Sequence, residues 1–153
     1  RRCLQCDLVC NVCTTVCPNR ANVALLSLPM PHPVQVAVRD GNGVRVETLS
    51  NRRLEQSYQI VNIADACNEC GNCATFCPYG SRPYQDKVTL FWSADDFENS
   101  RNEGFLRLED GRTRVRLGGQ VADYDVSDAA CGLYDPLRRL ICAVYENYAY
   151  LLG

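Results

Sequence analysis

Apolar and polar positions along this chain follow two periods. Val34-Gln35-Val36-Ala37-Val38 alternates, Asp40-Gly41-Asn42-Gly43 carries turn chemistry, and Val44–Leu49 alternates again; together they predict a β-hairpin. Tyr58–Ile63 adds a further strand, and Val88–Trp92 another, followed by Ser93 and Asp96 in a capping-box pattern for a short helical turn. Phe105–Glu109, Arg112–Leu117 and Gln120–Val126 alternate once more and are separated by Asp110-Gly111 and Gly118-Gly119, which predicts a three-stranded meander. On its middle strand Val115 and Leu117 are expected inside and Arg114 and Arg116 outside, with Arg107 joining them from the first strand. That makes a basic face, either solvated or docked on an acidic partner. Period 3.6 takes over after Asp135-Pro136: Leu137, Leu140, Ile141, Val144, Tyr145 and Tyr148 share one helical stripe, with Asp135 as N-cap and Pro136 at the first helical position.

Two stretches follow neither period and are dense in cysteine instead. Five of the eleven cysteines lie in residues 3–17, four in 67–77, and Cys131 and Cys142 stand apart. A secreted disulfide scaffold would spread an even number along the chain, whereas clusters at two- and three-residue gaps are metal-ligand spacings. With 46% hydrophobic and 22% charged residues the chain belongs to the folded globular class. A net charge of −2 does not make a nucleic-acid footprint, although fifteen of its sixteen basic residues are Arg and only Lys87 is Lys. No run approaches a membrane span, which points to a cytoplasmic protein. The start at Arg1-Arg2-Cys3, without Met or leader, suggests a piece of a longer polypeptide.

The second cysteine run is the cleaner. Cys67, Cys70, Cys73, Cys77 and Pro78 form C-x2-C-x2-C-x3-C-P, the bacterial ferredoxin pattern, whose first three cysteines wrap one [4Fe–4S] cluster while the fourth reaches another. Two-residue gaps curl the chain around a cubane; the three-residue gap places Cys73 and Cys77 one helical turn apart, and Pro78 ends that turn. A fourth ligand that points elsewhere requires a second site. Shifting the sequence by sixty positions lays Cys10, Cys13, Cys17 and Pro18 on Cys70, Cys73, Cys77 and Pro78. Asp7 falls opposite Cys67, so the missing ligand must be Cys6, Cys3 or Asp7. Cys6 needs the smallest change of spacing. The expected sets are therefore Cys6, Cys10, Cys13 and Cys77 for cluster one, and Cys67, Cys70, Cys73 and Cys17 for cluster two, with Cys3 as an alternative ligand.

Other chemistries explain less. A zinc site could use Cys3, Cys6, Cys10 and Cys13, but zinc gives no reason for the final cysteine and proline of both copies. A Rieske centre needs two histidines, and His32 is alone among prolines, where a surface loop is expected. Cys6-x3-Cys10-x2-Cys13 also matches the radical S-adenosylmethionine signature, yet a proline-rich connector (Pro29–Pro33) and a hairpin follow where a barrel would begin. Gly41-Asn42-Gly43 lacks the third glycine and the helix of a dinucleotide fingerprint. Cys131 and Cys142 read as small buried hydrophobes. Phe76 and Tyr79, on either side of Cys77, are candidates to shield a cluster from water.

The fold class expected is α+β: a bacterial 2[4Fe–4S] ferredoxin-like core over residues 1–83 with an inserted hairpin at about 34–63, then a β-meander and final amphipathic helix over 84–153. Two cysteine-rich loops should depend on their metal for support.

The runs RCLQCDLVCNVCTTVCPNRANVA and VNIADACNECGNCATFCP, with DKVTLFWSADDFENSRNEGFL and the closing YLLG, resemble the C-terminal ferredoxin part of the putative selenate reductase YgfK family. The preceding part of those large proteins resembles the FAD- and NAD(P)H-binding small subunit of glutamate synthase. The resemblance implies an electron carrier, part of a parent oxidoreductase subunit, that relays electrons between a flavin-containing oxidoreductase domain of the same parent chain and a partner redox subunit. A molybdenum-dependent hydroxylase of anaerobic purine breakdown is one such partner. FAD and NAD(P)H would bind the parent protein, outside these residues.

Overall fold

A computed structural model describes residues 10–26, 30–40, 43–54 and 58–153. Its centre is a six-stranded mixed sheet. In chain order the elements are α1 (Val12–Thr15), β1 (Asn22–Leu26), β2 (Met30–Asp40), β3 (Gly43–Leu54), β4 (Tyr58–Ile63), α2 (Asn72–Thr75), α3 (Pro83–Asp86), β5 (Val88–Phe91), α4 (Ala94–Asn99), β6 (Gly104–Arg107), β7 (Thr113–Leu117), β8 (Gln120–Tyr124) and α5 (Asp135–Asn147). The sheet runs β1-β4-β5-β6-β7-β8, with β4-β5 and β5-β6 parallel and the other pairs antiparallel. Parallel neighbours need crossovers. The first carries the second cysteine run with α2 and α3; the second carries α4.

The expected hairpin exists as a separate two-stranded ribbon of β2 and β3, closed by the pair Asp40–Gly43 and bulged between Val34 and Gln35. Gly41 and Asn42 lie outside the described residues. The ribbon takes in Pro31, His32 and Pro33, so His32 sits in a strand opposite Arg52 and not in a loop. A two-stranded ribbon has only edges, where proline's missing N–H is tolerated. Tyr58–Ile63, counted with the insertion from sequence, instead joins the main sheet between β1 and β5. One sheet thus takes strands from both sides of residue 83.

The sheet's alternation sorts its residues onto two faces. On one, Leu25, Val61, Leu90, Phe105 and Val115 meet Leu137, Leu140, Ile141 and Val144 of α5 in the main core. The helical stripe was fully legible in the sequence, but its cap was not. Tyr134 is the N-cap, while Asp135 lies in the first turn, where its carboxylate accepts from Arg138 at 3.2 Å and Arg139 at 2.7 Å. On the other face Phe91 and Leu106 pack against Phe97 of α4, and the Phe91 and Phe97 rings meet edge-on with centroids 5.1 Å apart. Ser93 caps α4, accepting from the Asp96 N–H at 3.1 Å. β5 and β6 approach so closely that a Cβ on Gly104 would stand 2.0 Å from the Thr89 carbonyl oxygen. Only glycine fits there.

The meander has the expected strands, but its basic face is not the expected one. Leu106 pairs with Arg114 and Arg107 with Thr113, so Arg107 lies on the α5 face, over the Tyr145 ring at 5.1 Å. Arg114 holds Asp123 through two hydrogen bonds at 2.8 and 3.0 Å, and Arg116 lies 4.1 Å over the Phe97 ring while donating to the Phe97 carbonyl. These arginines are engaged within the fold. Among the described residues no helix is long and apolar enough to cross a membrane.

Candidate metal centre

The described parts of both cysteine runs lie on the sheet face opposite α5 and repeat one conformation. Val12–Thr15 and Asn72–Thr75 are single helical turns sixty positions apart. In each, a threonine hydroxyl reaches back to the carbonyl four residues earlier, Thr15 to Asn11 and Thr75 to Gly71. After each turn the chain reverses over the last cysteine: the Arg20 N–H donates to the Cys17 carbonyl at 3.2 Å, and the Gly80 N–H to the Cys77 carbonyl at 3.1 Å. Arg20 and Gly80 both have positive φ, 55° and 62°. For a non-glycine such as Arg20 that conformation is uncommon and disfavoured. Its recurrence at the matching position shows that the loop demands it.

The two loops meet over β4. Cys13 and Cys73, each the middle of the three cysteines that recur sixty positions apart, are buried and pack with Ile60, flanked by Val16, Ala24 and Tyr84. A buried amide pair fixes the first loop to the sheet: Asn22 donates to the Cys13 carbonyl at 3.1 Å, and Asn62 donates to the Asn22 side-chain oxygen at 3.0 Å. The Ala21 N–H donates to the Cys17 sulfur at 3.2 Å. Such N–H···S contacts stabilise a thiolate and tune a cluster it holds. At the rim, Cys67 lines an open cleft of about 340 Å³ with Asn62, Glu69, Tyr84, Phe91 and Asn102.

Cys10, Cys17, Cys67 and Cys77 are partly exposed and Cys70 is exposed, and no disulfide joins the described cysteines. Cys3, Cys6 and Asp7, the candidates for the remaining ligand of the first set, lie outside the described residues. Among the described residues no three Cys, His, Asp or Glu side chains gather as a site for a single metal ion. A cubane makes a different demand, because its four thiolates bind four separate irons. The donor set present suits iron–sulfur chemistry: soft sulfur donors on and beside two short helical turns, with the Ala21 N–H turned toward the Cys17 sulfur.

Two carboxylates stand beside the Cys67 end. Partial burial pushes Asp65 above its ordinary range, reinforced by a hydrogen bond shared with Asp96, although the Trp92 N–H also donates to it at 3.2 Å. Asp96 is held low, chiefly by the Ser93 hydroxyl. This pair was not legible in the sequence, since the partners lie thirty-one positions apart.

Phe76 and Tyr79, the candidates to shield a cluster, lie at the surface among the described residues. Their side chains are 59% and 40% exposed, leaving an aromatic surface beside Cys77. Cys131 and Cys142 lie far from both runs in the sequence and pack at the edge of the main core; the Cys142 thiol donates to the Val126 carbonyl at 3.3 Å, and burial pushes its pKa up.

No family model and no solved structure matches the chain. Two curated proteins do, both named "Putative oxidoreductase YgfK", from Escherichia coli strain K12 and from Escherichia coli O157:H7. Each is 40% identical over 157 residues, covering 99% of this chain but only 13% of the relative's own length. Nearly all of the chain is therefore similar to a small part of a far larger protein.

Proposed function

We propose that this chain is a ferredoxin-type electron carrier with two [4Fe–4S] clusters, the first on Cys6, Cys10, Cys13 and Cys77 and the second on Cys67, Cys70, Cys73 and Cys17. The observation that carries the proposal is the repeat of sixty, which recurs in sequence, in the helical turns, in the reversal over Cys17 and Cys77, and in positive φ at Arg20 and Gly80. A lone structural metal site needs only one such loop. Two copies meeting over Ile60 suit short-range transfer between two centres.

When bound, the clusters would supply reversible one-electron storage. The chain's own residues hold the loops and set their surroundings: Asn22 and Asn62 fix the first loop to the sheet, and the Ala21 N–H donates to the Cys17 sulfur. The wider setting proposed is a parent oxidoreductase in which a flavin domain working with NAD(P)H and a partner redox subunit, such as a molybdenum hydroxylase, stand at the two ends of the relay. The exposed aromatic surface of Phe76 and Tyr79 beside Cys77 is a suitable exit for electrons.

Iron and acid-labile sulfide per chain, measured after anaerobic purification, test the proposal. About eight of each, with a broad visible absorption that bleaches on reduction, is the expected result for two cubanes. Colourless protein containing zinc would leave a metal-stabilised structural module instead.

A further inference from the structure

We propose that Cys131 and Cys142 form a dithiol that closes reversibly to a disulfide by exchange with a small-molecule disulfide, a modification site separate from both cysteine runs. The pair packs against the main core, on the α5 face of the sheet, so the inference does not rest on what the two runs hold.

Eleven positions separate the two cysteines, and the chain doubles back over that distance. The connection from β8 to α5 is anchored in the core at Val126 before Cys131 and at Leu133 after it, 5% and 8% exposed. Between these anchors two turns shorten the path: the Asp128 N–H donates to the Asp125 carbonyl and the Cys131 N–H to the Asp128 carbonyl, both at 3.2 Å. Cys142, midway along α5, reaches the first anchor, its thiol donating to the Val126 carbonyl at 3.3 Å. Both cysteines thus border one edge of the core, and each is partly exposed and carries a free thiol.

A cation stands at the pair. Arg138, one helical turn before Cys142, brings a guanidinium nitrogen to 3.9 Å from the Cys142 sulfur, and its Nε–H is buried without a hydrogen-bond partner. Thiolate, not thiol, is the attacking species in exchange, and this guanidinium supplies a counter-charge for one formed at Cys142. Burial pushes the Cys142 pKa up, Arg138 opposes it, and Glu146 and Cys131 are near enough to push the same way as burial.

One protein thiolate attacks a sulfur of the small disulfide, forming a mixed disulfide and releasing one small thiolate. The second protein thiolate attacks the protein sulfur of that mixed disulfide, forming the Cys131–Cys142 bond and releasing the other. The small disulfide gains two electrons, and the two thiol protons end on the two small thiols.

The chain, purified anaerobically, is incubated with oxidised glutathione, its remaining thiols are blocked, and cleavage after Arg138 and Arg139 places the two cysteines on separate peptides for mass spectrometry. The expected product is a cross-link between those peptides, about 2 Da lighter than their sum and removed by thiol reduction. In Cys131→Ser and Cys142→Ser the remaining thiol is expected to keep glutathione as a stable mixed disulfide. Glutathione on both cysteines of the unmodified chain without a cross-link, no reaction at either, or bonding of either to a cysteine of the two runs would overturn the inference. The unmodified chain decides, so a serine variant that fails to fold does not leave the question open.

Discussion

Cys17 and Cys77 occupy the same place in two copies of one loop, and on the proposed assignment each ligates the other copy's cluster. Cys77→Ala should therefore remove the cluster wrapped by the first run, although it lies in the second, whereas Cys70→Ala should remove the cluster of its own run. In both variants about four irons per chain are expected, and the magnetic coupling between two reduced centres should vanish from the EPR spectrum. Retention of eight irons in either would contradict the ligand sets. Asn22 makes a different kind of contribution. Truncation to Ala would remove the bonds that Asn22 makes to the buried Cys13 carbonyl and accepts from the Asn62 amide, an expected loss of about 1–3 kcal/mol seen as a lower urea midpoint. Cysteine spacing is legible because its geometry is local: gaps of two and three residues dictate the curl whatever the surroundings. The Asn22–Asn62 bond spans forty positions, and Lys87 is buried just before β5, which pairs with β4 from far back in the chain. Neither leaves a local signal.

Strand and helix periods came through from sequence more completely than faces did. All three meander strands and the α5 stripe stand where alternation placed them, yet Arg107 changed sides, because register is fixed by cross-strand pairing that no single strand encodes. The Arg114–Asp123 pair ties β7 to β8 and gives this edge a measurable acid response. The Arg114 guanidinium holds the Asp123 carboxyl below its ordinary range. A depressed folded-state pKa contributes stability that is complete above the unfolded value near 3.8 and is lost as pH falls through the lower folded value. The side chains are 34% and 22% exposed, so the contribution should be about 1 kcal/mol or less. Thermal unfolding of Arg114→Met across pH 2–6 should show the difference from the parent chain shrinking as the acid limit is approached. A difference constant down to the lowest pH would show that packing, not charge, is what Arg114 supplies. On the opposite face Leu140 of α5, fully buried against the sheet, should lose about 2–5 kcal/mol on truncation to Ala.

At the scale of the whole molecule the sheet separates two groups of residues that the sequence presents as one unit. Cysteine-rich loops alone suggest a domain that collapses without its metal. Yet the main core, from Leu25 and Val61 through Phe105 and Val115 to Leu140 and Val144, contains none of the cysteines of either run. The small group of Cys13, Ile60 and Cys73 and the Asn22–Asn62 amide pair join the loops to β4. Removal of metal by a chelator under reducing conditions should therefore act unevenly. Amides of 10–21 and 64–82 should lose protection from hydrogen exchange, while those of β5, β6, β7 and α5 stay protected, and one cooperative unfolding transition should remain at a lower temperature. Buried apolar surface on the α5 face accounts for the difference, because its contribution does not depend on the thiolates. Uniform loss of protection across sheet and loops would show that the two faces fold only together. In that case the metal would be part of the fold's foundation, and the carrier would have no stable state in which to await its clusters.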